Sequence, residues 1–169
     1  LFYCERSTFC KLIRSMVYPI KSIIRILDYP LPQGPNIKYF IVVDCAKDKE
    51  FTLLTMTTTN KTQFYFNLSD LIIKHGSIRN SKEEIVMYCF PAAYVIGKSG
   101  FAFPEHTFLL SEHSFRTHSC EEMYKLQVTY VDELKDDEFN ELLYSFIKSP
   151  SLKKKFIPQI EKVLEKINI

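Results

Sequence analysis

Two apolar stretches decide the fold: Tyr-Phe-Ile-Val-Val at residues 39–43 and Phe-Thr-Leu-Leu-Thr-Met-Thr at residues 51–57. The first is a continuous run of aromatic and β-branched residues, which is typical of a strand that is buried on both faces. The second follows a polar turn at residues 45–50. Together the two stretches predict an antiparallel β-hairpin with a longer loop.

Shorter apolar runs downstream extend this hairpin to a β-rich middle of five or six short strands. The runs lie at residues 63–66, 84–90, 92–96, 107–110 and 125–131, and a short helix is predicted at 67–76. Many of the predicted strands are joined by short loops. An antiparallel barrel or curled sheet would remove the exposed edges that short strands otherwise present.

The two ends of the chain are predicted to be helical. Residues 1–27 combine five cations with apolar residues spaced three and four apart, which predicts a basic helical arm interrupted at Pro19. Residues 28–36 contain three prolines and a glycine and form a turn-rich connector. At the other end, residues 139–147 have helix periodicity after a cap at Asp136 or Asp137, and a last helix starts near residue 151.

These elements predict one α+β domain of 169 residues, in which an antiparallel sheet precedes two C-terminal helices. Its parts are a basic N-terminal arm at 1–31, a β-rich core at 32–131 and helices packed on the core at 132–169.

Only 4 glycines are present, and no phosphate-cradling glycine loop is found. No apolar run is long enough to span a membrane. The 5 scattered cysteines favour a reducing compartment, so a cytoplasmic location is expected.

Residues 106–120 concentrate the groups that could perform acid–base chemistry. They include His106, His113, Arg116, His118 and Cys120. Cleavage of RNA needs a base for the 2′-hydroxyl, a cation for the phosphorane and an acid for the leaving oxygen, and histidine can take either proton-transfer role. His113, His118 and Arg116 are therefore the candidate catalytic residues, provided that the backbone brings them together.

Two other interpretations of this segment stay open. Imidazole and thiolate are zinc ligands, and the spacing from His113 to His118 occurs in zinc fingers, but no second cysteine pair completes a site. No metal ligands are therefore assigned. The same residues could equally be polar side chains in a surface loop between strands.

The predicted hairpin and the loop before it resemble the start of the MazF/PemK toxin family. The similar residues are 32–43, with Gln33, Gly34 and Lys38, and the strand at 51–58, which ends in Thr57 and Thr58. Members of that family are small SH3-like barrels that cleave RNA without a metal. The resemblance implies an SH3-like sheet, a phosphate contact at Lys38 and a role for Thr57 at the strand end. The family usually has arginine at the position of Lys38, and lysine lacks the bidentate grip of arginine.

The resulting hypothesis is an RNA-binding or RNA-cleaving, toxin-like domain that uses neither a metal nor another cofactor. His113, His118, Arg116 and Thr57 are its predicted catalytic residues, and Lys38, Lys61 and Arg79 its predicted nucleic-acid contacts. The predicted partners are single-stranded RNA and either a protein antitoxin or a second copy of the chain. The alternatives are a non-enzymatic accessory domain, which the many Tyr and Phe residues favour, and a zinc-binding regulator.

Overall fold

A computed structural model of the chain describes residues 18–46, 51–57 and 73–167. The predicted strand at 63–66, most of the predicted helix at 67–76 and Lys61 lie outside these ranges. The elements within them are β1 (Ser22–Tyr29), β2 (Asn36–Ala46), β3 (Phe51–Met56), β4 (Gly76–Arg79), β5 (Ile85–Phe90), β6 (Thr107–Leu110), β7 (Phe115–Ser119), α1 (Cys120–Lys125), β8 (Val128–Glu133), α2 (Asp136–Ile147) and α3 (Ile157–Ile167).

The hairpin predicted from residues 39–57 is confirmed as β2 and β3. The two strands pair antiparallel, with Phe40 opposite Met56 and Ile41 opposite Thr55. They lie at the centre of a five-stranded sheet in the order β7-β3-β2-β1-β8. Ile41 faces the main core and Val42 faces a second cluster on the opposite face, so β2 is buried on both sides as its apolar run predicts.

The helix predicted around residues 20–27 is wrong, because Ser22–Tyr29 forms strand β1. Ile23, Ile24 and Ile26 are each 0% exposed, and neighbouring isoleucines lie on opposite faces of the sheet. β-Branched side chains fit a pleated surface that is covered on both sides. The spacing of three and four therefore did not indicate a helix over residues 20–27, and the rest of the predicted arm, residues 1–17, lies outside the described residues.

The second sheet contains β4, β5 and β6 in that order, all antiparallel. The strands predicted at 84–90 and 107–110 are confirmed in it as β5 and β6. Tyr88, Phe90 and Leu109 point into the main core, whereas alternate residues such as Met87 and Phe108 form a separate cluster on the opposite face. The run at 92–96 contributes only one isolated bridge, between Val95 and Ala102.

The two C-terminal helices are confirmed, and both cover the main core. Phe139, Leu142, Leu143 and Phe146 of α2 are each 0% exposed. The predicted cap is wrong in detail, because Lys135 is the N-cap residue and the aspartates lie in the first turn of α2. Pro158 is tolerated in α3 because it occupies the first turn, where its missing N–H has no helical partner to lose.

Strand β7 and helix α1 were not predicted, and both shape the large sheet. The predicted strand at 125–131 is shifted, because α1 extends to Lys125 and β8 begins at Val128. Ser119 and Glu122 form a capping box at the start of α1. The sheet curls far enough for Tyr29 at one end of β1 to contact His118 of β7, although β2 and β3 lie between these strands. No closed barrel is found among the described strands.

A buried aspartate fixes the loop that runs from β5 toward β6. Asp132 of β8 is 3% exposed and accepts backbone N–H groups from Ser99 and Phe101. Burial acts to raise the pKa of Asp132, but the N–H donors outweigh it and hold the pKa below its ordinary value. A Cβ at Gly97 would lie 2.0 Å from the Asp132 Oδ2 atom, so only glycine fits there. The carboxylate thus sets the path that carries Phe101 and Phe103 to the surface of β2.

Candidate nucleic-acid interface

The structure brings Lys38 and Thr57, two of the predicted site residues, into one cleft. The cleft has a volume of about 160 Å³, which suits a single planar ring, and it lies where β2 begins and β3 ends. Its lining residues are Ile37, Lys38, Tyr39, Thr57, Phe103, Pro104, Glu105 and Thr107. The hairpin register accounts for the convergence, because antiparallel pairing puts the first residues of β2 beside the last residues of β3.

Thr57 is held rigidly at the edge of the cleft. Its backbone N–H and its hydroxyl both donate to the Tyr39 carbonyl, at 3.2 and 2.9 Å. The side chain is buried, at 5% exposure. Thr57 therefore fixes the end of the strand, and its hydroxyl proton is already committed to the backbone.

Aromatic rings and cations surround this cleft. The Tyr39 ring packs against Phe101 and Phe103, with centroid distances of 5.8 and 5.5 Å. Arg25 lies directly across from Tyr39 in β1, on the same face, and its Nε atom is buried without a hydrogen-bond partner among the described residues. Glu105 places one carboxylate on the rim. A partly exposed ring in a cleft that a lysine also lines can stack a base while cations nearby contact phosphate.

A second cluster contains two of the predicted catalytic residues, Arg116 and His118. They alternate along β7 and therefore share a face, the one opposite to Phe115 and the main core. His118 Nε2 lies 3.2 Å from the Tyr29 hydroxyl, and His118 Nδ1 lies 3.8 Å from Glu122 Oε2. We call these four residues, Tyr29, Arg116, His118 and Glu122, the His118 cluster.

Burial and charge together set the protonation of this cluster. Burial lowers the pKa of His118, the Glu122 carboxylate opposes that change, and the Arg116 charge adds to it. Burial raises the pKa of Tyr29, and the Arg116 charge partly offsets the rise. The imidazole therefore stays neutral to a lower pH than a free histidine, so its lone pair remains available as a base.

Two further predicted site residues, His113 and Arg79, lie outside both the cleft and the His118 cluster. His113 lines a separate cavity of about 420 Å³ with Asn80, Met87 and Leu110, and its Nε2 lies 3.4 Å from Glu112. Arg79 donates to the Glu83 carbonyl in the β4–β5 turn.

The structure does not gather the predicted catalytic residues at one point. Thr52 is opposite His118 at the start of β3, whereas Thr57 follows the end of that strand and lies on the opposite face. His106 and His113 lie at opposite ends of β6. The Nδ1 atom of His106 accepts the Ala92 N–H. The histidines of 106–118 therefore have separate partners, and only Arg116 and His118 are neighbours.

Sequence reasoning missed a third cluster, which is built around His75. Its Nε2 lies 2.6 Å from Glu138 Oε2, and Tyr94 donates to the other oxygen of the same carboxylate at 2.9 Å. The Tyr94 ring stacks on the imidazole at 4.3 Å, and the Tyr88 hydroxyl lies 3.4 Å from His75 Nε2. We call these residues the His75 cluster. Since 63 positions separate His75 from Glu138, no local pattern could have paired them.

Two other kinds of site are absent from the described ranges. No group of three or more His, Cys, Asp or Glu side chains there is arranged to hold a metal ion. None of the helices there combines the length and apolar character needed to cross a membrane. A comparison of the whole chain with family models, curated proteins and solved structures finds no match.

Proposed function

We propose that this protein binds single-stranded RNA at the cleft lined by Lys38, Tyr39 and Thr57. The observation that carries the proposal is that Lys38 and Thr57 meet in this cleft beside a partly exposed aromatic ring. A base stacked on Tyr39 would leave its phosphate near Lys38, which lines the same cleft. Stacking is tolerant of sequence, and the phosphate contacts make binding dependent on salt.

We also propose that the curled five-stranded sheet is an open variant of the SH3-like fold. The MazF/PemK resemblance supports this, because it covers the same β2–β3 hairpin that builds the cleft. A cytoplasmic location and a partner that is an antitoxin or a second copy stay predictions of the same resemblance.

The test is the affinity of the purified protein for a fluorescent single-stranded RNA, measured by anisotropy at several salt concentrations. Lys38→Ala should weaken binding of every sequence to a similar degree. It should also reduce the slope of log affinity against log salt by about 0.7, the value for one lost phosphate contact on a single strand. The matched control is Lys162→Ala, which removes an exposed lysine from α3. Equal affinity and slope for the two variants would refute the cleft as the binding site.

Cleavage of the bound RNA is a second candidate function, favoured by the His118 cluster. Arg116 supplies a fixed cation, and His118 supplies a neutral imidazole on the same strand face. These are two of the three groups that phosphodiester transesterification needs. Incubation of labelled RNA with the protein in the presence of a chelator tests this activity, and intact RNA at high protein concentration would refute it.

A further inference from the structure

Tyr29 reaches His118 because β1 departs from regular pairing near its end. The register with β2 shifts between Ile26 and Tyr29, which turns the Tyr29 ring onto Phe40 at a centroid distance of 4.8 Å. The ring is buried, and its hydroxyl lies at the end nearest to His118, whose side chain is 17% exposed. Bulges of this kind often re-aim a side chain beside a functional site.

The positions of the partners decide where the imidazole proton lies. The Glu122 carboxylate can only accept a proton, and its Oε2 is fixed by the Ser119 N–H at 2.8 Å. His118 Nδ1 lies 3.8 Å from this carboxylate, and the negative charge favours the tautomer of the neutral ring that carries its proton on Nδ1. Nε2 is then the acceptor, and the Tyr29 hydroxyl donates to it. The order hydroxyl, imidazole, carboxylate is the arrangement that activates a hydroxyl group in hydrolases.

We propose that Tyr29, His118 and Glu122 form a proton relay that activates a ribose 2′-hydroxyl, with Arg116 holding the adjacent phosphate. Tyr29 is the catalytic residue, because its oxygen would contact the 2′-hydroxyl. His118 and Glu122 act through Tyr29 and are positioning residues. The inference deepens the cleavage activity proposed above, and it needs the Lys38 cleft only for delivery of long RNA.

The proposed step balances without a co-reactant. The 2′-hydroxyl gives its proton to the Tyr29 oxygen while Tyr29 passes its own proton to His118 Nε2. The 2′-oxygen bonds to phosphorus, and the bond from phosphorus to the 5′-oxygen breaks. The leaving 5′-oxygen, which lies on the opposite side of phosphorus, takes a proton from solvent, and His118 then gives its extra proton back to solvent. The products are a 2′,3′-cyclic phosphate and a free 5′-hydroxyl, and the relay is restored.

The first experiment compares the wild-type protein, Tyr29→Phe and the matched control Tyr130→Phe, which changes an exposed tyrosine of β8. Two substrates are used with chelator present: single-stranded RNA, and uridine 3′-(4-nitrophenyl phosphate), a small diester that does not depend on the cleft. We expect Tyr29→Phe to lose about a hundredfold or more in rate on both substrates, the usual size of a general acid–base contribution. Tyr130→Phe should retain the wild-type rate.

The second experiment separates relay from scaffold through the pH–rate profile of His118→Gln. The groups that face His118 are Tyr29 from β1, Arg116 from β7 and Glu122 from α1. The wild-type rate should fall at acidic pH as the imidazole is protonated, and this limb should disappear in His118→Gln. A merely structural role for His118 would lower the rate at every pH and leave the shape of the profile unchanged.

Each outcome decides the proposal. If the wild-type protein cleaves neither substrate, or if Tyr29→Phe cleaves both at the wild-type rate, the relay is wrong. If the protein cleaves the small diester but does not bind RNA, the binding proposal fails and the relay stands. Circular dichroism of each variant confirms that it is folded before rates are compared.

Discussion

His75 and His118 have similar neighbours and opposite surroundings. Each imidazole Nε2 lies close to a tyrosine hydroxyl, at 3.4 Å from Tyr88 and 3.2 Å from Tyr29. The glutamate of the His75 cluster is 6% exposed at its side chain, whereas the glutamate of the His118 cluster is 63% exposed. The carboxylate of the first cluster is therefore buried, and that of the second is open to solvent.

This difference in exposure of the two glutamates indicates which cluster stabilises the fold and which one is suited to chemistry. Both oxygens of Glu138 are occupied, by His75 and Tyr94, so this carboxylate ties the start of β4 and the loop after β5 to the first turn of α2. The His118 cluster instead carries a cation, Arg116, on its exposed side. A phosphate can approach a cation beside a neutral imidazole, but the Glu138 carboxylate of the His75 cluster would repel it.

The largest expected effect is the loss of stability on Glu138→Ala. This change leaves the His75 Nε2 and the Tyr94 hydroxyl without their shared acceptor in a partly buried site. Groups stranded in this way typically cost about 1–3 kcal/mol in the free energy of unfolding. Urea denaturation at neutral pH measures the change, with Glu161→Ala on the exposed face of α3 as the matched control. A loss no larger than that of the control would mean that the His75 cluster does not hold the fold.

A smaller effect is expected from Tyr94→Phe, which keeps the stacked ring and removes one donor to Glu138. The free energy of unfolding should fall by about 1 kcal/mol, the usual net contribution of one hydrogen bond. Because Tyr94 is 39% exposed, water can replace part of the lost interaction. Denaturation of Tyr130→Phe, which changes an exposed tyrosine of β8, provides the comparison. Stability equal to that of wild type would show that the hydroxyl does not brace the carboxylate.

The sequence predicted contacts that are local and failed on contacts that are distant. Lys38 and Thr57 converge because a hairpin joins them, and a hairpin can be predicted from two apolar runs and a polar turn. Tyr29 and His118 are 89 positions apart, and they meet only through a bulge and the curl of a sheet. The sheet order that produces this curl depended on β1, which periodicity assigned to a helix. Local patterns therefore indicated the cleft, and only the tertiary structure could indicate the relay.

A still smaller stability change is expected for Glu122→Ala, although it should reduce the rate of cleavage. The Glu122 side chain closes the capping box of α1 but is mostly exposed, so water solvates the groups that it leaves. The substitution should destabilise the protein less than Glu138→Ala does in the same urea titration. The roles of the two glutamates would then be distinguished, since Glu138 acts on stability and Glu122 acts on the relay. The reverse order of stability losses would overturn the comparison between the two clusters.

The smallest expected effect is a change in how stability depends on pH in His118→Gln. Burial lowers the pKa of His118 in the folded protein below its ordinary value of 6.5, while the unfolded chain keeps the ordinary value. The unfolded state therefore binds more protons as the pH falls below 6.5, and the wild-type protein loses stability that the glutamine variant keeps. Thermal unfolding of both proteins across this pH range measures the difference. The difference in stability between the two proteins should be constant above pH 6.5, narrow between 6.5 and the lower pKa of the folded protein, and be constant again below that pKa, because only the wild-type protein has the imidazole that takes up a proton. Curves that diverge on acidification would mean that the folded protein favours the charged imidazole, in which case Nε2 would not be available to accept the Tyr29 proton.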